Sequence, residues 1–295
     1  MGGLSPEREV SLTSGKAVYE AIQRKGLQAV AIDVDHKVAL NLERARIDVA
    51  FIALHGTYGE DGTIQGLLEY AKIPYTGSGV LGSAIAYDKV KSKEIFKING
   101  IPSADYQVLN RNRKTGIRRT LALPVVVKPS NQGSSIGVSI VKKESEWAEA
   151  LKTAFTYSEE VLVEKFIEGR LVAMGMNGER PLPIVQIQPK SGFYDYEAKY
   201  TKGKTDYLCP APLSPEETSR CEEAAVNVFR VLKGRGIPRV DAILDAKGVP
   251  YVLEMNTIPG LTPTSLLPMA AKQAGMDFEE LVVEILQSAQ LDYGV

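Results

Sequence analysis

The chain has 295 residues and a formal net charge of −1 at pH 7, and 44% of its residues are hydrophobic and 24% charged. This composition is typical of a globular enzyme, and the balanced charge argues against a nucleic-acid-binding protein. No stretch approaches the ~18 apolar residues of a membrane span, and the first ten residues lack the apolar core of an export signal. We therefore predict a cytoplasmic protein of two or three domains that binds neither nucleic acid nor a membrane.

The N-terminal part alternates helix and strand signals. Pro6, followed by acidic residues at 7 and 9, predicts a helix that runs to Gly26, and the apolar runs at 29–34 and 48–54 predict strands of a parallel sheet. The glycine-rich loop at 55–62 follows the second strand, and ligands bind at the carboxyl ends of such strands. His55 in this loop is either a ligand contact or a structural hydrogen-bonding group.

Residues 77–82 satisfy the GxGxxG pattern and precede a predicted helix at 83–99. A dinucleotide-binding fold requires a buried strand before the glycines, and residues 73–76 form a short segment that contains proline. We therefore reject a dinucleotide site here.

A second glycine-rich turn, at 131–137, joins predicted strands at 123–130 and 137–142. Such a turn can offer amides and hydroxyls to phosphates while Lys128 on the first strand neutralises charge, although a flexible surface hairpin gives the same pattern. The chain has no GxxxxGK[ST] motif, so this is not a Walker A loop. The next strand, at 161–167, carries two charged residues that either mark its surface end or border a purine pocket.

The stretch 239–256 predicts a β-hairpin with Ala246 and Lys247 as its two turn residues. This register pairs Leu244 with Val249 and places Tyr251 and Leu253 on the apolar face. The opposite face carries the polar side chains of Arg239, Asp241, Glu254 and Asn256. Their oxygens suit a hard cation such as Mg²⁺ that also keeps phosphate ligands, whereas an edge hairpin facing water is the alternative.

Two segments near this hairpin are rich in loop residues. Residues 257–265 combine proline, glycine and hydroxyl side chains that can present backbone N–H groups to an anion. Residues 191–200 interleave aromatic and charged side chains without helix or strand periodicity, which suggests a lid.

Five motifs together resemble one family. They are GGLSPEREVSLTSG, HGTYGEDGTIQG, KPSNQGSSIGVS, FYDYEAKY and RVD followed by LEMNTIPGLTPTSLLP. In this order and spacing the chain resembles the D-alanine:D-alanine ligases of the ATP-grasp superfamily. The resemblance implies an α/β (α+β) ATP-grasp fold of three subdomains, which we expect at 1–88, 89–171 and 172–295. It also implies an N-terminal Rossmann-like parallel sheet that lacks its first strand, because the family has an apolar strand ahead of the paired glycines.

The resemblance implies ligation of two D-alanine molecules for peptidoglycan synthesis, through an acyl phosphate made with ATP and two Mg²⁺ ions, with Mn²⁺ as a substitute, by a homodimer. By the same resemblance, ATP is contacted by Lys89, Lys128, Glu164, Lys165, Ile167 and Lys199, and the metal ions by Asp241, Glu254 and Asn256. The first D-alanine lies beside Glu7, Ser134, Tyr200 and His55, the oxyanion beside Arg239 and the Gly260 amide, and the second D-alanine's carboxylate beside Ser265 and Leu266.

The sequence departs from the family pattern at Leu171, where family members usually carry an acidic residue that we associate with the ribose. Two rival interpretations stay open at this point. One is an ATP-grasp ligase for a different amino-acid pair, and the other is a nucleotide-binding regulator without catalysis.

Overall fold

The structure is a computed structural model that describes residues 1–112, 118–192, 194, 198–199, 201 and 203–293. In this part of the chain no helix combines the length and the apolar composition that crossing a bilayer requires.

The N-terminal region consists of three helices joined by extended segments. Helix α1 covers Arg8–Arg24, α2 covers Val38–Ala45 and α3 covers Thr63–Ala71. The predicted parallel sheet is present only as isolated parallel bridges, Gly2 with Val34 and Ala50 with Tyr75. The prediction of regular strands at 29–34 and 48–54 is therefore wrong. The backbone groups of Met1 and Gly2 pair only with residues 32–34. The described residues therefore form no continuous ladder of backbone hydrogen bonds here.

The helix predicted at 83–99 is in fact two helices, α4 at Val80–Tyr87 and α5 at Lys89–Ile98. Asp88 breaks the run because its backbone is extended and its side chain accepts from the N–H groups of Val90 and Lys91, at 2.9 and 3.0 Å. This is the N-cap arrangement, in which a carboxylate satisfies free amides of the first turn. The break places Lys89 at the first position of α5.

The first sheet is antiparallel and has the strand order β1-β4-β2-β3. Its strands are β1 (Tyr106–Asn110), β2 (Val125–Pro129), β3 (Ser139–Val141) and β4 (Glu160–Lys165). A 3-10 turn at Glu144–Glu146 leads into helix α6, Trp147–Tyr157, which packs on one face of the sheet through Leu151, Ala154 and Phe155. The opposite face of the sheet is not covered by α6 and is available for a ligand site.

The second sheet is also antiparallel, with the order β10-β9-β5-β7-β8 and a short β6 paired to β5. Its strands are β5 (Arg170–Asn177), β6 (Arg180–Pro181), β7 (Val185–Pro189), β8 (Thr205–Leu208), β9 (Arg239–Leu244) and β10 (Pro250–Asn256). The remaining helices are α7 (Pro215–Val231), α8 (Leu266–Gln273) and α9 (Phe278–Gln287). Alternation along β5 decides which helices cover which face: Val172 and Met174 pack with α7, while Ala173 packs with α8 and α9.

The hairpin of β9 and β10 has a different register from the predicted one. Pro250 pairs with Leu244 and Val252 with Ala242, whereas Glu254 pairs with Asp241 after a shift at Leu253. The loop is one residue longer than expected, because the N–H of Asp245 bonds to the Val249 carbonyl and Gly248 takes a left-handed conformation, φ 71°.

The longer loop moves half of β10 to the opposite face. Val252 is fully buried in the core, and Tyr251 and Leu253 line the space between the two sheets, so their predicted placement on the core face is wrong. The bulge then adds a second one-residue shift, which restores the predicted face for Glu254 and Asn256 because side chains alternate with period two.

Candidate active site

Two connected cavities occupy the centre of the molecule. A cavity of about 710 Å³ lies between the two sheets, and one of about 490 Å³ lies between α1, the loop at 55–60 and the segment after β10. Both cavities are lined by Lys89, Gly133, Ser134, Tyr194, Lys199 and Glu254. A group bound in the larger cavity can therefore meet a group bound in the smaller one at a junction that contains two lysines and a carboxylate.

A buried ion-pair group forms one wall of the larger cavity. Lys128 Nζ lies 2.6 Å from Glu164 Oε2, and Lys93 Nζ lies 2.6 Å from Glu164 Oε1. Burial by itself would raise the pKa of Glu164, but the two lysines hold it at about 2. Burial lowers the pKa of Lys128, and Glu164 opposes that shift.

The larger cavity also holds the other residues assigned to the base and sugar. Lys165 and Ile167 line it near the end of β4, and Leu171 lines it from β5. Leu171 pairs across the sheet with Ile187 and Ile243, which line the same cavity. This part of the wall is thus an apolar strip with no carboxylate at position 171.

The predicted metal ligands lie on one face of the hairpin, where Asp241 and Glu254 oppose each other directly. Each carboxylate already faces a cation: Arg239 Nε and Nη2 donate to Asp241 at 2.7 and 2.8 Å, and Lys89 Nζ lies 3.0 Å from Glu254. Asn256 Oδ1 accepts from the N–H of Ile258 at 3.0 Å.

This donor set fits a hard cation that keeps phosphate ligands, because two carboxylates and one amide oxygen share a face at the cavity junction. In the described residues no cluster of three His, Cys, Asp or Glu side chains forms a metal cage.

The charges at the junction are strongly coupled. Burial would raise the pKa of Glu254, but Lys89 and Lys199 lower it to about 2. Burial lowers the pKa of Lys199, against the opposing effect of Glu254 and Asp241. For Lys89 the effect of burial is outweighed by Glu254, which raises the lysine pKa. For Arg239 burial is likewise outweighed, here by Asp241, so its pKa is raised.

Glu7 lies in the smaller cavity, just before the first residue of α1, with Ser134 as its hydrogen-bond donor. Its carboxylate fits tightly between two glycines: a Cβ built at Gly56 or at Gly133 would lie 2.6 Å from Glu7 Oε2. Ser134 and Ser135 both have left-handed backbones, φ 51° and 58°. Such strain in non-glycine residues is often found at functional turns.

His55 is buried at the wall of the smaller cavity, where its Nε2 lies 3.3 Å from Ser14 Oγ. Burial, reinforced by the charge of Arg239, lowers the pKa of His55 to about 4. The imidazole is therefore neutral near pH 7. Ser14 Oγ also accepts from the N–H of Leu261 at 3.3 Å, so His55 contacts a residue that supports the loop after β10.

The end of that loop begins helix α8. Ser265 is the N-cap residue of α8 and Leu266 is its first helical residue, and both line the smaller cavity with Gly260. Ser265 Oγ accepts from the N–H of Thr262 at 3.1 Å and lies 2.8 Å from Thr262 Oγ1. Free amides at a helix N-terminus suit a carboxylate.

Glu60 is a site residue that the sequence-based assignment missed. It is buried, lines the smaller cavity and accepts from the N–H of Gly56 at 2.8 Å. Burial and the nearby charge of Glu7 raise the pKa of Glu60 to about 8. The signal available in the sequence was its place in the glycine-rich loop at 55–62, where His55 was the only residue predicted to contact a ligand.

The suggested lid is described in part. Tyr194 lines both cavities, its carbonyl accepts from Ser135 Oγ at 3.1 Å, and its ring lies 5.2 Å from Lys199 Nζ. Tyr194 Oη also lies 3.3 Å from Tyr207 Oη. Tyr200, which we assigned to the first substrate, lies outside the described residues.

Two antiparallel sheets that enclose a cavity, with lysines and carboxylates at its junction with a second pocket, define an ATP-grasp fold. Two sequence profiles match the chain. The family described as "D-ala D-ala ligase N-terminus" matches residues 37–78, and "D-ala D-ala ligase C-terminus" matches residues 95–287.

Individual relatives agree with these profiles. A D-alanine–D-alanine ligase of Syntrophotalea carbinolica is 51% identical over 292 residues, which cover 99% of this chain and 95% of that protein. A Bacillus anthracis D-alanine–D-alanine ligase crystallised with ATP is 34% identical, with a TM-score of 0.86 over 98% of this chain and 94% of that one. A D-Ala:D-Ser ligase of Enterococcus faecalis is 29% identical, with a TM-score of 0.83 over 97% of each chain. The chain belongs to the D-alanine–D-alanine ligase family.

Proposed function

We propose that this protein joins two D-alanine molecules into D-alanyl-D-alanine for peptidoglycan synthesis, with ATP as the source of energy. The observation that carries the proposal is the junction of the two cavities. It brings a nucleotide-sized space between sheets into contact with a polar pocket that offers a carboxylate at one end and helix amides at the other.

In the first step the carboxylate of one D-alanine takes the γ-phosphoryl group of ATP, which yields an acyl phosphate and ADP. Glu7 holds the ammonium group of this D-alanine, and Ser134, which donates to Glu7, fixes the carboxylate in place. Lys89 and Lys199 at the junction offset the negative charges that must approach each other. Positioning and charge neutralisation supply most of the rate in phosphoryl transfer.

Asp241, Glu254 and Asn256 are the residues that would hold Mg²⁺, or Mn²⁺ in its place. Bound there, the metal, two ions in our proposal, would neutralise part of the negative charge of the phosphates. Lys128 contributes to phosphate binding from the first sheet.

In the second step the amine of the other D-alanine attacks the acyl carbon, loses a proton and expels phosphate. Arg239 and the N–H of Gly260 stabilise the oxyanion of the tetrahedral intermediate. Ser265 and the N–H of Leu266 bind the carboxylate of the second D-alanine at the start of α8, where the helix dipole favours an anion.

A ligase for a different amino-acid pair stays a defined alternative, because the D-Ala:D-Ser ligase of E. faecalis shares the fold. A regulator without catalysis fits less well, since the junction keeps Lys89, Lys199 and Glu254 in contact with both cavities. The expected homodimer, the cytoplasmic location and the three subdomain boundaries stay predictions.

The test is phosphate release from ATP and Mg²⁺ with D-alanine, L-alanine or D-alanine plus D-serine, followed by mass analysis of the product. We expect release only with the D-amino acids and D-alanyl-D-alanine as the main product. Equal turnover with L-alanine would refute the proposal, and a mixed D-Ala-D-Ser product in preference to the homodipeptide would favour the alternative.

A further inference from the structure

Lys93 has no role in the steps above, yet its side chain is fully buried. Lys93 lies on α5, one helical turn after Lys89, and it lines neither of the two cavities. Its ammonium group is 2.6 Å from Glu164 Oε1 and 5.8 Å from the centre of the Tyr106 ring. The ammonium and the carboxylate form a buried ion pair.

A buried ammonium is unfavourable unless it is paired, so a fully buried lysine points to a specific electrostatic task. Here the carboxylate that pairs with Lys93 is shared. Glu164 Oε2 contacts Lys128, which lines the larger cavity, the proposed nucleotide cavity. Glu164 Oε1 contacts Lys93, which lies behind the wall of that cavity.

The group of two lysines and one carboxylate carries one uncompensated positive charge. Without Lys93, Glu164 and Lys128 would form a neutral pair, and an anion in the cavity would lose most of the attraction of Lys128. With Lys93 present, one negative charge is divided between two cations, and the cavity wall stays positive.

We propose that Lys93 is a positioning residue that shares the negative charge of Glu164 with Lys128. Lys128 is then only partly neutralised and stays available to the phosphates of a nucleotide. The inference rests on the proposed use of ATP and deepens it by assigning the origin of the phosphate affinity.

The measured quantity is the ratio of ATP affinity to adenosine affinity, obtained by isothermal titration calorimetry on the full chain. Adenosine has no phosphate, so the ratio isolates the charge effect from changes in the base and ribose contacts. We expect Lys93→Met to lower the ratio by about tenfold or more. In steady-state assays KM for ATP should rise while kcat changes little.

Removal of Glu164 together with Lys93 should restore the affinity ratio. The double variant Lys93→Met/Glu164→Gln again leaves Lys128 as the only charge of the group, so its ratio should return to near that of the unaltered protein. Glu164→Gln alone should keep the ratio at or above that value. The matched control is Lys91→Met, which removes a lysine from the same helix but from an exposed pair with Glu94, and it should leave the ratio unchanged.

An unchanged ratio in a folded Lys93→Met protein would overturn the inference. So would failure of the double variant to recover the ratio, because Lys93 would then act through packing alone. If Lys93→Met does not fold, as circular dichroism would reveal, Lys93→Gln, which also removes the charge, is measured in its place and should show the same lowered ratio. Failure of the unaltered protein to bind ATP is a different result, and it would refute the proposed function instead.

Discussion

Glu254 lies directly opposite Asp241 across β9 and β10, immediately after the bulge that leaves Leu253 outside the pairing. The three-residue loop of the hairpin turns Tyr251 and Leu253 toward the larger cavity, and the bulge then returns the two carboxylates to a common face beside it. An irregularity in one ladder thus allows apolar and acidic groups to line the same cavity.

We expect Asp241→Asn to raise the free Mg²⁺ concentration needed for half-maximal phosphate release by about tenfold or more, because a neutral amide attracts a divalent cation less strongly than a carboxylate. The measurement is a Mg²⁺ titration with ATP held saturating. Asp245→Asn is the control, since it makes the same charge change in the turn of the same hairpin, where Asp245 accepts from the N–H groups of Lys247 and Val249. An identical Mg²⁺ dependence in both variants would remove Asp241 from the metal site.

Arg239→Ala should lower kcat by about 10²–10³-fold and change KM much less, because the guanidinium acts mainly when the oxyanion forms. Steady-state kinetics with D-alanine and ATP give both constants. Arg230→Ala serves as the control because Arg230 pairs with Glu179 on the exposed surface. If Arg239→Ala keeps its kcat, the oxyanion is stabilised by other groups.

Glu60 should make the stability of the free protein fall as pH rises. Its folded-state pKa is raised to about 8 from an ordinary value of 4.5, so between these values the folded state keeps a proton that the unfolded state has lost. The stabilisation is full below about pH 4.5 and is lost as pH rises through about 8. We therefore expect Glu60→Gln to raise Tm relative to the unaltered protein at pH 8 but not at pH 5.

The measurement is a pair of thermal melts at the two pH values, with exposed Glu149→Gln as the control. His55, whose lowered pKa has the opposite consequence, is unchanged in both proteins and cancels in the comparison. A constant Tm difference between Glu60→Gln and the unaltered protein across this range would show that Glu60 does not titrate there.

Leu171→Glu should lower KM for ATP and leave kcat nearly unchanged, because a carboxylate can accept hydrogen bonds from the ribose hydroxyls, each worth about 0.5–1.5 kcal/mol. The unaltered protein should discriminate weakly between ATP and 2′-deoxy-ATP. Saturation curves with both nucleotides test this, with Leu171→Met as an apolar control of similar volume. Strong preference for ATP in the unaltered protein would mean that another residue binds the ribose.

Features of short range were predictable from the sequence. Ser214 followed by Pro215 is a helix-start pattern that the sequence shows directly, and α7 begins there with Ser214 as its N-cap residue. The period-two alternation of side chains placed Arg239 and Asp241 on one face of β9, and Glu254 and Asn256 on one face of β10, whereas the loop and the bulge decided that the two pairs share a face. Local signals were less reliable where one residue changed the outcome, as at Asp88, whose capping of α5 divided a continuous helical pattern, and at Gly248, whose loop shifted the register.

The tertiary structure decided the pairings between distant parts of the chain. Glu7 and Ser134 are 127 positions apart, and only the packing of α1 against the first sheet's turn brings them into hydrogen-bond contact. Lys93 has the sequence context of an ordinary surface lysine on a helix, and Glu164 is one of two charges in an apolar strand. Both side chains are buried, and Lys93 Nζ lies 2.6 Å from Glu164 Oε1, because the fold brings Lys93 of α5 beside Glu164 of β4. The sequence determined which groups were available, while the fold determined which charges were removed from water and therefore which of them interact strongly.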